Sequence, residues 1–317
     1  MRTEKKVKSN FFRAVWALTY REMNKWLKDP IIVVMLLIQP IIWMILVGKS
    51  INIQAIFLYV ELKDLEIPDM TIQGHYLNLS ISEIIIPGKL IAEELQKVFS
   101  EIGNSLMQNV FGIKDYFSFV AIGMISMIAM TASLLSGISI VWDRKSGLLD
   151  KVLVTPVPRF AIVFSKILDA SLRAIFEATI ILILAVLLGL KLSSNFGIVN
   201  LLMMYFAIFL MTIGFSSTFL IISLTSTGVE RPMHLMNLIT MPLMFSSNIF
   251  FPTHLMPAWL QLIANVNPLT YFNDALRQLI IFNTDFLALM FDFLVLGIFA
   301  SIFSILGLIL SLKFLSS

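Results

Sequence analysis

Long apolar runs, rather than short amphipathic arcs, set the rhythm of this chain. A membrane-crossing helix needs roughly 20 mainly apolar residues. Six stretches approach that length: 31–48, 117–142, 170–190 (entered from 161), 198–225, 234–251 and 286–312. The first contains Pro40 and the fifth Pro242. Prolines kink such helices without forbidding them, because neighbouring groups satisfy the freed carbonyls. The second run carries Ala129, Ser133 and Gly137 at four-residue spacing, a pattern that lets helices approach closely.

Between the runs the pattern changes. In residues 11–27, FFRAVWALTYREMNKWL, the positions Phe12, Val15, Trp16, Thr19, Met23, Trp26 and Leu27 recur at helical spacing. Arg13, Arg21, Glu22 and Lys25 fall largely off that stripe. An aromatic apolar face opposite a basic one predicts a helix lying on the membrane surface. Both a plain anchor and a helix that also touches a cytoplasmic partner fit this pattern. Residues 49–116 form a long loop. Its first part, 53–86, alternates loosely and predicts a few strands. Its second, 89–112, puts Ile91, Leu95, Val98, Ile102 and Leu106 on one helical face. A small extracytoplasmic subdomain is expected here. Between Phe251 and Thr284 three prolines (Pro252, Pro257 and Pro268) punctuate a half-apolar segment. PAWLQLIANV and PLTYFNDALRQLI read as short helices opened by proline. Neither is long enough to span, so they predict an outer re-entrant pair over 252–285. The fold class is an all-α integral membrane protein with six transmembrane helices.

Composition agrees. Of 317 residues, 58% are hydrophobic and only 14% charged, and the mean hydropathy is +0.90. Soluble domains carry about 25% charged residues. There is no cysteine, which excludes disulfides, thiolate metal sites and cysteine nucleophiles. Lys and Arg in short connections set orientation. The first 28 residues hold eight of them, too long a basic region for a signal peptide and with no small-residue cleavage site after it, so this segment is read as retained. The 143–160 connection adds Arg144, Lys145, Lys151 and Arg159, and the connection before the fifth run adds Arg231. Both termini are therefore expected in the cytoplasm of a multi-pass protein of the cell membrane.

Motifs of catalysis are sparse. His75, His234 and His254 have no partner at ligand spacing. VGKS at 47–50 resembles the end of a phosphate-binding loop, but Trp43 stands where its first glycine belongs and no strand precedes it. Asn78 opens a glycosylation-type tripeptide, a motif common by chance. No metal, cofactor or catalytic residue is expected. Charges inside the apolar runs carry more weight. Lys166, Asp169, Arg173 and Glu177 are spaced three, four and four, so they share one helical face and can pair internally. Asp292 lies about two turns into the last run. Each fits a self-neutralised stripe or local pairing. Arg173, Glu177 and Asp292 also fit the polar lining of a substrate path.

One stretch interrupts the runs abruptly: VWDRKSGLLDKVLVTPVPRF, 141–160. Leu148, Leu149 and Val152 can insert into a groove, while Asp143, Arg144, Lys145 and Lys151 fix register. Thr155 precedes Pro156 and is disfavoured in a helix, which ends the turn there. Physics alone leaves a simple hairpin and a docking element equally open.

This stretch resembles the signature of the ABC-2 family of ABC-transporter permeases: an acidic-basic-glycine run, a leucine-rich turn and a Thr-Pro step. LTYREMNKWLKDP resembles that family's amphipathic helix ahead of its first span. FSSNIFFPTHLMPAWLQLIANVNPLTYFNDALRQLI resembles its fifth span and outer re-entrant pair. Asp143 and Asp150 stand where many members have Glu. The resemblance implies a permease that pairs with a second permease subunit, as homo- or heterodimer, and docks a separate ATP-binding subunit. ATP and Mg would sit on that partner, not on this chain. It further implies that Asp143, Arg144, Leu148, Leu149, Asp150, Thr155 and Pro156 couple to the ATPase, with Arg21, Glu22 and Trp26 at the amphipathic-helix interface. The expected function is an ATP-driven exporter of a drug-like, lipid, glycan or ion substrate. A membrane anchor for a cytoplasmic ATPase and an ATP-independent carrier are the rival readings.

Overall fold

The computed structural model describes residues 11–50, 67–73, 83–112, 115–226, 228–282 and 284–316. Almost everything in it is helical. Helix α1 spans Phe11–Leu27 and α2 spans Pro30–Leu46. The two meet at 77°. Pro30 opens α2 and restricts Asp29 before it to extended backbone, which breaks the continuity. A two-stranded antiparallel ribbon, β1 (Met70–Gln73) with β2 (Glu83–Ile86), follows. Then comes α3 (Gly88–Leu106), which ends in a wider turn over Met107–Phe111. Other strands expected within 53–86, together with His75, Asn78 and the first ten residues, lie outside the described residues.

The bundle proper comprises α4 (Tyr116–Lys145), the short α5 (Leu148–Leu153), α6 (Arg159–Leu187), α7 (Ile198–Leu224) and α8 (Glu230–Phe245). After it come α9 (Ala258–Ala264), α10 (Pro268–Ile280) and α11 (Phe286–Ser316). Helices α4, α6, α7 and α11 are long and apolar enough to cross a membrane; counting the bent α1–α2 pair as one broken span makes five. The expected fifth span is the 16-residue α8. At 1.5 Å per residue it reaches about 24 Å, short of the roughly 30 Å hydrocarbon core.

Helix α4 is the axis. It packs on α2, α6, α7 and α10, and 89% of its most apolar window is enclosed. Its small residues explain the closeness. A Cβ at Gly137 would come within 2.7 Å of Phe219 Cβ, and one at Gly123 within 2.6 Å of the Ile249 carbonyl oxygen. Ala129 and Ser133 of the same stripe are fully buried. Only 17% of the corresponding window of α11 is enclosed, so its apolar surface faces outward. Helix α6 begins at Arg159, two residues before the expected entry at 161, and its charged residues Lys166 and Asp169 are helical and buried.

Candidate functional site

The charges of α6 explain how α1 is held. Lys166 is 2% exposed, and a buried ammonium must be paired. Its Nζ lies 2.5 Å from Asp143 Oδ2 at the end of α4 and 3.1 Å from Glu22 Oε1 on α1. Lys25 reaches the same two carboxylates, at 2.9 Å (Glu22) and 3.2 Å (Asp143). Arg21 pairs with Glu22 and lies 3.2 Å from Asp143 Oδ2. Two acids from two helices thus share three cations. Burial alone would push the Glu22 carboxyl up; Lys166, Arg21 and Lys25 outweigh it and hold it at about 2.

Farther along α1, Trp26 repeats the device. Its Nε1 donates to Asp169 Oδ1 at 3.2 Å, and Arg173 pairs with Asp169 at 3.1 Å while lying over the indole. Thr19 donates to the Ser165 carbonyl at 3.4 Å. The buried face of α1 is therefore Ala14, Val15, Thr19, Glu22 and Trp26. The expected stripe is split: Val15, Thr19 and Trp26 turn inward, Phe12, Trp16 and Leu27 turn away from the bundle, and Glu22, expected largely off the stripe, is enclosed. Phe12 and Trp16 mark the outward face, and the ion pairs of Glu22 with the Trp26–Asp169 bond hold the inward one.

The interrupting stretch forms the floor beneath this joint. Gly147 turns the chain from α4 into α5 with φ +67°, a conformation that costs glycine little. Arg144 donates to the carbonyls of Leu224 (3.4 Å) and Ser226 (3.1 Å), satisfying the end of α7. Leu149 does not project outward as the docking expectation requires. It is buried among Ile140, Val141, Ile162, Val163, Ile167, Leu220 and Leu224. Asp143 is likewise taken up by Lys166, Lys25 and Arg21. Leu148 is half-buried, and what α5 and the turn directly after it present outward is Asp150, Lys151, Val154, Thr155 and Pro156. Val154 is 86% exposed.

The residues expected along a path are not brought together. Arg173 pairs with Asp169, and no ion pair joins it to Glu177 among the described residues. Glu177 is 1% exposed and its Oε1 has no hydrogen-bond partner. Asp292 is buried on α11, where its Oδ2 accepts from Gln278 Nε2 at 3.0 Å. His234 and His254 are both exposed, and no cluster able to hold a metal occurs among the described residues.

The opposite end holds a second buried cation, Arg277, to which the sequence alone assigned no role in packing. Arg277 on α10 is 2% exposed. Its Nη2 donates to the Asn248 carbonyl at 2.6 Å and makes longer bonds to those of Phe119 and Ile249, both 3.4 Å. Its guanidinium carbon lies 3.5 Å from the centre of the Phe119 ring. Asn267 caps α10 and donates to the Leu243 carbonyl at 2.7 Å, and the Tyr116 hydroxyl donates to the Phe250 carbonyl at 3.0 Å. Ser126 donates to Asn273 at 2.5 Å. The irregular backbone after α8 is thus satisfied by protein groups, the condition for non-helical chain at membrane depth.

Comparison with known proteins adds a family. The profile of ABC-2 type transporters matches residues 13–281. A putative transport permease, ycf38, from Cyanophora paradoxa is 30% identical over 212 residues, 64% of this chain and 72% of the relative. A probable multidrug ABC transporter permease, YbhR, from Escherichia coli (strain K12) is 28% identical over 167 residues, covering 52% of this chain and 44% of the relative. A daunorubicin resistance ABC transporter permease protein, DrrB1, from Streptomyces coeruleorubidus is 26% identical over 169 residues, 52% of this chain and 58% of the relative.

Proposed function

Because the chain belongs to the ABC-2 type transporter family, we propose that it works as the permease subunit of an ATP-driven exporter with six membrane segments. In this reading α2, α4, α6, α7, α8 and α11 are the six segments, α1 lies on the cytoplasmic surface of the cell membrane, and both termini are cytoplasmic. A separate ATP-binding subunit, carrying ATP and Mg, docks on the outward face of α5. A second permease subunit packs beside it. Helix α8 supports that pairing: only Pro232 and Met236 of its 16 residues are buried, and Asn237 is exposed amid Leu238 and Met241. A bare amide at that depth is costly without a partner surface.

One observation carries the proposal. The exposed rim of α5 lies on the same short element that Leu149 roots in the bundle, directly beneath the ion-paired joint of α1. A push on Asp150, Lys151 or Val154 therefore reaches α4, α6 and α1 together. Closure of the ATP-binding subunits moves these helices as a group, and the permease pair rocks to release a drug-like, lipid, glycan or ionic substrate outward. Arg173, Glu177 and Asp292 are the polar residues along that path.

The test is co-purification of the tagged chain with its ATP-binding subunit in mild detergent. Val154→Asp combined with Asp150→Arg is expected to lose the subunit and its ATP hydrolysis by at least about tenfold, while the permease keeps its elution volume and unfolding temperature. Undiminished co-purification of that variant would remove α5 from the docking site. Leu149→Asp is a poor probe of docking, since it places a charge in the core.

A further inference from the structure

The charged stripe of α6 is not paired along its whole length. Arg173 stands midway between two acids, Asp169 four residues before it and Glu177 four residues after it. Its Nη2 donates to Asp169 Oδ2 at 3.1 Å. The Nε of the same guanidinium is buried without a hydrogen-bond partner, and so is Glu177 Oε1. One is a donor and the other an acceptor, and Glu177 is only 1% exposed. Buried polar atoms are nearly always satisfied, so an orphan donor and an orphan acceptor one turn apart need a reason. Side chains on a helix lean towards its N-terminus, which brings Arg173 to Asp169 and aims Glu177 back at Arg173. An acid placed before its base is the better order at this spacing, by a small margin. Helix α1 enlarges that margin. Trp26 Nε1 donates to Asp169 Oδ1 at 3.2 Å, the guanidinium lies 5.5 Å over the Trp26 indole, and Phe176 packs on that ring at 5.6 Å. The aromatic face that favours Arg173 beside Asp169 is therefore present only while Trp26 is docked.

We propose that Arg173 is a two-position residue that sets where α1 rests: it pairs with Asp169 while Trp26 is docked, and with Glu177 when α1 swings away. Glu177 is the second seat, which is why its oxygen is enclosed and unpaired in the docked arrangement. Removing Trp26 from a guanidinium that had no other partner would leave a poorly solvated charge and make release of α1 costly. A second carboxyl within reach lowers that cost, so the two positions of α1 lie close enough in free energy to exchange. The inference goes beyond the export reading, because α1, Arg173 and both seats lie within this one chain.

The test follows α1 directly. Thr19 is fully buried on the inward face of α1 and the chain has no cysteine, so Thr19→Cys supplies a single thiol that reports release of the helix. Val15→Cys, on the same face, is the second reporter. The rate of labelling by a bulky maleimide is measured on the full chain in mild detergent. Glu177→Gln should slow labelling at least about threefold, because release loses its second seat. In chains carrying Arg173→Gln, which keeps a donor for Asp169, adding Glu177→Gln should leave the rate within about 1.5-fold. If Arg173→Gln does not fold, Arg173→Lys takes its place, and the slowing by Glu177→Gln should be weaker than in the parent. Equal unfolding temperatures of the parent and Glu177→Gln chains separate release of α1 from loosening of the bundle. Labelling unchanged by Glu177→Gln, or slowed equally with and without the Arg173 substitution, would overturn the proposal. Glu177→Gln that impairs export at an unchanged labelling rate would overturn it too, and leave Glu177 to the substrate path. Arg173-dependent slowing in a chain that never acquires an ATP-binding subunit would support the two seats and count against the export reading.

Discussion

The two ends of this bundle bury charge in opposite ways. At the α1 joint, Glu22 and Asp143 share Lys166, Lys25 and Arg21, and two of those cations sit on a partly exposed rim, with side chains 31% (Arg21) and 48% (Lys25) accessible. At the far end Arg277 has no such choice, because its close acceptors are backbone carbonyls of α4 and of the segment after α8. A network with surplus cations can exchange partners as helices shift, since each carboxylate stays paired throughout. A guanidinium held by main-chain oxygens fixes one backbone shape. The contrast teaches where movement can enter this fold: at the joint beside α5, and not at the Arg277 lock.

The contrast breaks most severely at Lys166. Lys166→Met leaves two enclosed carboxylates with rim cations alone, and removing one partner of a buried pair costs about 3–5 kcal/mol. Limited proteolysis of α1 should accelerate, and the unfolding temperature in detergent should fall. Arg277→Gln should cost about 2–3 kcal/mol, since buried carbonyls lose their donor. Its signature is local: exchange of backbone amides should rise in residues 246–251 and leave α1 protected. If both variants loosen both ends equally, the two sites are not independent. The smallest effect concerns pH. Glu22 is held at about 2, below its ordinary value of 4.5. Its contribution is therefore fully present above about pH 4.5 and is lost as pH falls towards 2. Protection of α1 should stay flat between about pH 5 and 8.

Much of the fold was legible in the sequence for a physical reason. Lipid demands continuous apolar length, so α4, α7 and α11 announced themselves. The proline-opened α9 and α10 did too, because Pro257 and Pro268 can begin a helix but not continue one. Three features were not legible. The burial of Lys166 and Asp169 was hidden, although their shared helical face was not, because their partners Asp143, Glu22 and Trp26 come from distant parts of the chain. The inward face of α1 was hidden because Phe12 and Trp16 dominate its periodicity while facing away from the bundle. Leu149 was read as a docking knob because its neighbours are charged, yet its partners Leu220 and Leu224 arrive from α7. Each miss is a long-range contact that no local pattern encodes.

The central claim, that the outward face of α5 meets the ATP-binding subunit, has a direct test because the chain contains no cysteine. Val154→Cys would be the sole thiol of the permease. With the co-expressed ATP-binding subunit present, this thiol should resist a membrane-impermeant maleimide and cross-link to the subunit through a short bifunctional reagent. Without the subunit it should label fully. Equal labelling in both cases, with no cross-link, would contradict the account.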